Sequence, residues 1–322
     1  MSGLPAVDSR APDFFIVGSP KTGTTALHRM LSGHPQVFMS PLKEPRFLAS
    51  DLLPRPQHAH ARREEGYPTT MAAYLALFAQ AQANQRVGEA TPTYLWSRTA
   101  ADAIAELSPG ARIIAILREP SSFLRSLHLS FLKGGNESEK DLGKAISLEA
   151  DRRSGRQIPR SSHRPQLLMY SEHVRYVEQL ERYRARFPPE RMLVLIYDDF
   201  LADNRETVRR VLRFLEVDDT APIRIRKANP TVGVRSTGLR SAAGSLVAGN
   251  SRTARAARTT IKSLVPQLAS ARAHRRILFS EPPPPDERLM LEIRKRFKGE
   301  VVALSEYLDR DLLSLWGYGE LG

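Results

Sequence analysis

Short apolar runs alternate with amphipathic segments along most of the chain. Apolar runs that end at turn residues predict buried strands at 13–18, 36–39, 86–89, 112–117 and 192–197. Apolar spacings of three and four residues predict helices at 24–33, 70–83, about 98–107, 121 to about 132, 171–187, 205–215 and 286–308. Such alternation is typical of an α/β fold, in which a central parallel sheet is flanked by helices on both faces.

Two polar stretches interrupt this pattern. Residues 53–68 are rich in Pro and His and predict a surface loop, and residues 133–165 predict a mobile loop or lid. With 322 residues, of which 41% are hydrophobic and 26% charged, the chain has the composition of a globular protein. We therefore expect one domain over 1–322, with a basic helical extension at about 238–280 packed on or beside it.

The turn between the first strand and the first helix has the composition of a phosphate-binding loop. Gly18 and Gly23 have the spacing of a Walker A loop, but Thr24 occupies its lysine position and Lys21 lies three residues earlier. Glycines let the backbone curve so that successive amides converge on an anion at the start of the helix. The turn alone leaves three interpretations open: a degenerate Walker A loop of a nucleotide kinase, a loop for another phosphate donor, and a generic glycine-rich turn.

A second motif follows the predicted strand at 112–117. Arg118 comes directly after this strand, and Ser126 lies eight residues further on, inside the next predicted helix. An arginine offers phosphate oxygens a planar fork of N–H donors, and a serine hydroxyl adds a neutral donor. Together the two motifs favour a phosphate-bearing ligand beyond the carboxyl ends of the strands.

With these two motifs, the chain resembles the sulfotransferases that use 3′-phosphoadenosine 5′-phosphosulfate (PAPS). The hallmark loop of that family, Pro-Lys-x-Gly-Thr-Thr, is present as Pro20-Lys21-Thr22-Gly23-Thr24-Thr25. The resemblance implies that this loop binds the 5′-phosphosulfate, that Arg118 and Ser126 bind the 3′-phosphate, and that no metal ion is required. It also implies cofactor contacts from Tyr197 and from Arg235, with Lys227 as the second candidate for the role of Arg235.

In its motifs the chain is closest to bacterial and heparan-sulfate-type O-sulfotransferases, whose catalytic Lys-Glu-Pro is present as Lys43-Glu44-Pro45. This resemblance implies that Glu44 is the general base and that Lys21 stabilises the negative charge on the leaving phosphate. A second interpretation is that Glu44 only pairs with Lys43 or Arg46 at the surface. The resemblance covers nearly the whole chain, and its weakest matches are at 53–69, 133–165 and 238–280.

Sulfotransferases of phenols and steroids use a histidine as the base. None of the eight histidines of this chain has a matching context. We therefore expect a carboxylate base, and structural roles for His28, His34 and His128.

Four residues are expected to face the acceptor: Lys43, Arg46, Glu89 and Tyr94. Glu89 lies where heparan-type members carry Glu-Lys-x-Pro, and it is expected either to orient Lys21 or to bind the acceptor. Ala90 stands in place of that lysine, so a lysine contact with a sulfated polysaccharide is not carried over. The acceptor therefore stays open among small molecules, glycans and lipid-linked compounds, with the hydroxyl of a carbohydrate, a glycolipid or a secondary metabolite as the expected target.

The net charge of +13 is concentrated in one stretch. Between Ala221 and Ser280 there are twelve Lys or Arg residues and no Asp or Glu. Three interpretations compete: a solvated helical face, which we favour, a platform at an anionic membrane through 238–280, and a nucleic-acid surface. Nucleic acid is the least favoured partner, because no recognised nucleic-acid-binding fold or aromatic interleaving accompanies the charge.

The chain has no cysteine, which excludes disulfides, thiolate zinc sites and cysteine nucleophiles. It shows no signal-peptide pattern and no apolar run of membrane-spanning length, so we expect a cytoplasmic protein, membrane-peripheral if the basic stretch meets lipid. The predicted function is PAPS-dependent O-sulfation by direct in-line transfer, without a metal ion. A P-loop nucleotide kinase and a non-enzymatic anion-binding module are the alternatives.

Overall fold

The computed structural model describes residues 10–52, 66–162, 164–224, 233–234, 279–280, 282 and 284–321. Arg235, Lys227 and nearly all of the predicted basic extension lie outside these ranges. The central sheet has five strands: β1 (Phe14–Gly18), β2 (Val37–Met39), β3 (Arg86–Ala90), β4 (Arg112–Leu117) and β5 (Met192–Ile196). Their order is β2-β3-β1-β4-β5 and every neighbouring pair is parallel, which confirms the predicted sheet.

The parallel arrangement brings five loops to one edge of the sheet. Each strand ends at this edge, so the segments that begin at Ser19, Ser40, Thr91, Arg118 and Tyr197 all emerge there. Ligands of open α/β sheets bind at this edge, beyond the carboxyl ends of the strands. The fold therefore brings the predicted site residues that follow these strands into one region.

The helices follow the strands in the predicted alternation. They are α1 (Thr24–Leu31), α2 (Met71–Leu75), α3 (Ala100–Leu107), α4 (Pro120–Gly134), α5 (Leu142–Ser147), α6 (Glu149–Arg153), α7 (Tyr176–Arg184), α8 (Tyr197–Ala202), α9 (Asn204–Phe214), α10 (Glu287–Tyr307) and α11 (Leu312–Trp316). Among the described residues, no helix is both long and apolar enough to span a membrane.

Two helix predictions need correction, and one helix was missed. The helix predicted at 70–83 is only α2 and a 3-10 turn at 76–78, because Tyr74 and Phe78 are the only side chains of that stretch that are buried. The helix predicted at 171–187 divides into a 3-10 segment, 170–174, and α7. Helix α8 was not predicted, since six residues directly after a strand are too short to show helical periodicity.

The stretch 133–165, predicted as a mobile loop or lid, contains α5 and α6. Its charged residues suggested exposure, yet Glu137 and Arg152 form a salt bridge of 2.8 Å in which both side chains are almost fully buried. The Glu137 carboxylate also accepts hydrogen bonds from the backbone of Ser138 and Glu139. A buried and mutually paired set of charges is invisible to a hydropathy pattern, so the polar composition was misleading.

Both faces of the sheet are buried, as expected for all-apolar strands. On one face, Phe14, Ile16, Ile114 and Ile116 belong to a core cluster with residues of α1 and α9. Their neighbours in sequence point to the opposite face and are equally buried: Phe15, Val17, Ile113 and Ala115. Burial on both faces fixes the strand positions and so the loops that follow them.

The chain divides into two compact units. The first comprises residues up to 124, 170–229 and 291 onward, and it contains the five-stranded sheet. The second comprises 125–169 and 230–290, and it contains the Glu137–Arg152 pair and an antiparallel pair of two-residue strands, β6 (Gly233–Val234) and β7 (Phe279–Ser280). The predicted organisation as one domain with a basic extension stays a prediction.

Candidate functional site

The loop between β1 and α1 is held in one shape by its own contacts. Lys21 has a φ of 65° and Gly23 a φ of 84°, both in the left-handed region. A Cβ atom on Gly23 would lie 2.7 Å from the ring of Phe200, so glycine is needed here for both space and backbone conformation. The buried hydroxyl of Thr22 donates a hydrogen bond of 2.6 Å to the carbonyl of Ser19. The loop is therefore ordered from within.

Helix α1 begins at this loop with an uncapped amino terminus. Its N-cap, Gly23, has no side chain to bind the first amides, and the first turn contains no acidic residue. The first amides of a helix lack partners within the helix, and the helix dipole adds partial positive charge there. The end of the loop thus has the properties of an anion site, which agrees with the predicted phosphate cradle.

Arg118 contacts this loop directly. Its Nη1 donates to the Lys21 carbonyl at 3.1 Å, and its Nε donates to the Ser122 hydroxyl at 3.0 Å. The guanidinium carbon lies 4.7 Å from the ring centroid of Tyr197, which is within cation–π distance. The structure therefore brings together three residues predicted for the donor site: Lys21, Arg118 and Tyr197.

The turn that carries Arg118 is supported by a buried carboxylate, Glu119. It accepts hydrogen bonds from the backbone amides of Ser121 and Ser122 and from the Ser121 hydroxyl, and so caps α4. The hydroxyl of Tyr318 donates to the same carboxylate at 2.6 Å. The roles of Glu119 and Tyr318 were missed, although an acidic residue directly before a proline that starts a helix is a recognisable capping signal.

Ser126 lies in the second unit, on α4. Its hydroxyl is buried, and no hydrogen-bond partner for it exists among the residues that the structure describes. A buried hydroxyl without a partner is costly, which suits a group that binds a ligand. The predicted pairing of Ser126 with Arg118 stays a prediction.

The Glu44 loop, residues 40–48, follows β2. Glu44 and Arg46 both have left-handed backbone angles, with φ of 61° and 57°. The Glu44 carboxylate accepts hydrogen bonds from Lys43 Nζ at 2.7 Å and from Arg46 Nη2 at 3.1 Å. The pairing weighed as an alternative to a catalytic role is thus present, and the carboxylate is still 31% exposed. Non-glycine residues held at such angles are concentrated at functional sites.

The charge state of Glu44 reflects two opposing effects. Burial raises the pKa of its carboxyl, but the positive charges of Lys43 and Arg46 and their hydrogen bonds lower it by more. The pKa consequently lies below its ordinary value, and the group is ionised at neutral pH.

The Glu44 loop is fastened to the segment that follows β3. The Glu44 amide donates to the Ala90 carbonyl at 3.0 Å, and the Arg46 amide donates to the Thr91 hydroxyl at 3.4 Å. The Leu48 amide donates to the hydroxyl of Tyr94 at 3.1 Å. These three anchors fasten the loop at Glu44 itself and at two positions after it.

Two of these anchors belong to the Glu89 pocket, which consists of Glu89, Tyr74, Thr91 and Tyr94. The Glu89 carboxylate is fully buried and accepts hydrogen bonds from the hydroxyls of Tyr74 and Thr91, each at 2.5 Å, and of Tyr94 at 3.2 Å. Burial, with a smaller contribution from the negative charge of Glu44, raises the pKa of Glu89 to about 7, although the hydrogen bonds from the three hydroxyls lower it. Hydroxyl groups stabilise this carboxylate without neutralising it.

The burial of Glu89 and Tyr94 changes their expected role. Both side chains have no exposed surface, so in this structure neither presents an atom to an acceptor. Lys43 and Arg46 are 20% and 26% exposed and do reach the surface. Glu89 and Tyr94 instead contact the residues that anchor the Glu44 loop, which suits a positioning role.

The histidines have the structural contacts that were expected. A ring nitrogen of His28 lies 3.1 Å from the Ser40 carbonyl, and one of His34 lies 2.7 Å from the Asp218 carbonyl. In the second unit, a ring nitrogen of His128 lies 3.1 Å from the Lys140 carbonyl. Within the described ranges, no group of three or more His, Asp or Glu side chains is arranged to hold a metal ion.

Comparison with known proteins finds sulfotransferases among the curated relatives. Human carbohydrate sulfotransferase 15 is 29% identical over 42% of this chain and 30% of its own length. Mouse heparan sulfate glucosamine 3-O-sulfotransferase 3B1 is 27% identical over 65% of this chain and 47% of its own. The chain thus spans about a third to a half of the length of these curated relatives.

A solved structure and a family model agree with this result. The sulfotransferase from Alicyclobacillus acidocaldarius aligns with a TM-score of 0.66 over 95% of this chain and 99% of its own, at 22% identity, which shows a shared fold. Residues 12–221 match the model described as the sulfotransferase family, which covers more than half of the chain. The chain therefore belongs to the sulfotransferase family, as the loop at Pro20 to Thr25 predicted.

Proposed function

We propose that the protein transfers the sulfuryl group of PAPS to a hydroxyl group of a carbohydrate-type acceptor. The observation that carries this proposal is the glycine-closed loop after β1, in which Lys21 stands beside Arg118 at the start of an uncapped helix. Membership of the sulfotransferase family supports the reaction class.

The residues present suit the donor. The amides at the start of α1, from Thr22 to Thr25, would hold the phosphosulfate, because the helix supplies no side chain of its own to satisfy them. Arg118 and Tyr197 would hold the nucleotide part through charge and ring stacking. The unpartnered hydroxyl of Ser126 is suited to a phosphate oxygen. Arg235 is proposed as a further contact from the sequence resemblance alone.

Two residues would act on the reacting atoms. Glu44 accepts the proton of the acceptor hydroxyl as the new oxygen–sulfur bond forms, and Lys21 stabilises the negative charge on the bridging oxygen as the old sulfur–oxygen bond breaks. Transfer is direct and in line, and adenosine 3′,5′-bisphosphate leaves. We propose that neither step requires a metal ion.

The salt bridges of Glu44 offer a way for acceptor binding to change the pKa of the base. Lys43 and Arg46 keep the carboxylate ionised, which a base requires, but they also weaken its affinity for a proton. An acceptor whose polar groups bind Lys43 or Arg46 would draw these cations from Glu44 and raise its pKa. Acceptor binding would then activate the base, and small molecules, glycans and lipid-linked compounds all remain candidates. A carbohydrate is favoured because the names of the two curated relatives refer to carbohydrate and heparan sulfate.

The deciding experiment separates donor binding from turnover. Glu44→Gln should abolish sulfation in an assay with PAPS and pooled glycan and lipid acceptors, while calorimetry shows unchanged affinity for adenosine 3′,5′-bisphosphate. Glu190→Gln, at an exposed position, is the matched control and should retain activity. Full activity in Glu44→Gln would contradict the assigned base, and tight, magnesium-dependent binding of ATP would favour the kinase alternative.

A further inference from the structure

A cavity of about 490 Å³ opens at the amino-terminal edge of the sheet, the edge opposite the donor loop. Strand β3 begins at Arg86, β4 begins at Arg112, and Arg191 directly precedes β5. Parallel pairing places the starts of neighbouring strands side by side, and Asp13, just before β1, lies in the same row. The cavity is therefore lined by charged residues that the topology, and not the sequence order, has gathered.

Arginines outnumber carboxylates among the described residues that line this cavity. Arg10, Arg86, Arg112 and Arg191 face only Asp13 and Glu216, which leaves a net charge of +2. Arg10 binds Asp13 at 3.0 Å, so that pair is balanced. The excess charge belongs to the other three arginines, which surround a single carboxylate.

Glu216 forms salt bridges with two of these three arginines. It pairs with Arg86 at 3.0 Å and with Arg112, and the hydrogen bond and charge of Arg112, with the charges of Arg86 and Arg191, lower its pKa. Its side chain is 60% exposed, and its backbone is in the left-handed region with a φ of 57°. The carboxylate thus lines the cavity and is open to solvent.

The arginines are held in place by the backbone rather than by Glu216 alone. Arg86 also donates to the Leu215 carbonyl at 3.1 Å, and Arg112 and Arg191 donate to the carbonyls of Phe214 and Gly110. A guanidinium has five N–H donors, so a carbonyl anchor leaves donors for an oxyanion. The cluster would keep its shape if another anion took the place of the carboxylate.

We propose that this cavity is a second anion site, which takes a sulfate or phosphate group in exchange for the Glu216 carboxylate. Planar guanidinium forks match the oxygens of such groups and form paired, charge-assisted hydrogen bonds with them. A hydroxyl group in the cavity also indicates a bound ligand rather than a purely structural ion pair. The Ser108 hydroxyl, which lines the cavity, is buried and has no hydrogen-bond partner in the described part of the chain.

Three sources carry the same chemistry: free sulfate, adenosine 3′,5′-bisphosphate and a sulfated sugar. The site is independent of the donor loop, because none of its lining residues belongs to the segments around Lys21, Glu44 or Arg118. Its test therefore uses binding and not turnover, so that failure of the proposed catalytic roles would leave it intact.

The test measures the rise in melting temperature with added sodium sulfate at constant ionic strength, on the full chain with Lys21→Ala to weaken the donor loop. Glu216→Gln should lower the half-saturating sulfate concentration about fivefold, because the competing carboxylate is removed. Arg191→Gln should raise it about fivefold, and Arg191→Lys, which keeps the charge, should raise it less. Glu320→Gln removes an exposed charge that does not line the cavity and should have no effect.

Opposite shifts in Glu216→Gln and Arg191→Gln would support the site. Equal shifts in Glu216→Gln and Glu320→Gln would overturn it. An unchanged sulfate response in Arg191→Gln would also overturn it, provided that this variant still melts cooperatively in chloride. Repeating the titration with adenosine 3′,5′-bisphosphate and with a sulfated disaccharide identifies the source, since the ligand whose response depends on Arg191 is the one that the cavity takes.

Discussion

The Glu44 loop and the Glu89 pocket lie side by side and treat a carboxylate in opposite ways. Glu44 is partly exposed and bound by two cations, and its pKa lies below the ordinary value. Glu89 is fully buried and bound by three hydroxyls, and its pKa is raised to about 7. Burial by itself favours a higher pKa in both groups, so the type of partner decides whether the net shift is upward or downward. Cations overcome the desolvation of a carboxylate, and hydroxyls do not.

The two regions are nevertheless connected by shared hydrogen bonds. Thr91 and Tyr94 use their hydroxyl hydrogens for Glu89 and their oxygens to receive amides of the Glu44 loop. A buried acceptor thus orients the hydroxyls that hold a surface loop. The proposed base is therefore partly exposed, whereas the groups that anchor its loop are buried.

The largest expected difference between the regions is in turnover. Glu44→Gln should lower kcat by about 10²–10⁴-fold, because a general base contributes that much. Glu89→Gln should lower it less than about tenfold, because the amide oxygen can still accept the hydrogen bonds of Tyr74 and Tyr94, and only the one from Thr91 is lost. Steady-state sulfation of a common acceptor checks the pair. Equal losses would show that Glu89 itself takes part in the chemistry.

A second effect concerns stability as a function of pH. The folded protein holds the Glu89 proton more tightly than the unfolded chain, whose pKa is near 4.5. Its stabilising contribution is therefore complete below pH 4.5 and is lost as the pH rises through about 7. The stability of the wild type minus that of Glu89→Gln should fall by about 3 kcal/mol over this window. Urea unfolding at several pH values measures it, and a constant difference would refute a raised pKa.

A smaller effect is expected for the hydroxyl that joins the two regions. Tyr94→Phe removes a donor to Glu89 and the acceptor of the Leu48 amide, and should cost about 2 kcal/mol of folding free energy. It should also raise KM or lower kcat, because the Glu44 loop loses an anchor. Tyr183→Phe is the control: its hydroxyl bonds only the Tyr94 carbonyl in the described structure, so stability should fall by about 1 kcal/mol without a change in kcat. The same loss of activity in both variants would count against a positioning role.

The smallest effect concerns the pairing of Glu44. Lys43→Ala removes one of its cations, so its pKa should rise and the acidic limb of the kcat–pH profile should move to higher pH by about half a unit. Lys43→Arg keeps the charge and should leave the limb in place. A limb that does not move in Lys43→Ala would mean that another group sets it.

The sequence was sufficient for features with a local signature. The strand at 112–117 was predicted to the residue, because an all-apolar run between turn signals has few alternatives. The loop at Pro20 to Thr25 and the Lys-Glu-Pro motif were sufficient to predict the family and one region of the site. These features depend on residues that are adjacent in the chain.

The rest depends on residues that are distant in the chain. The neighbours of Glu89 do not reveal all of its partners, since one of its three donors, Tyr74, lies on a separate short helix. In the sequence, Arg86, Arg112 and Arg191 look like ordinary charged residues at the starts of strands. Only the strand order brings them together. The stretch 133–165 looked like a loop because its buried charges are paired with each other.

The hydrogen bond from Tyr318 to Glu119 has a consequence for the order of folding. The two residues are 199 positions apart, so during synthesis the turn that carries Arg118 emerges from the ribosome long before the hydroxyl that completes it. Contacts of such separation form late, because a large loop must close first. A nascent chain without Tyr318 would present the arginine on an incompletely fastened turn. Fastening this turn would then be a late step of folding, on which the proposed donor site depends.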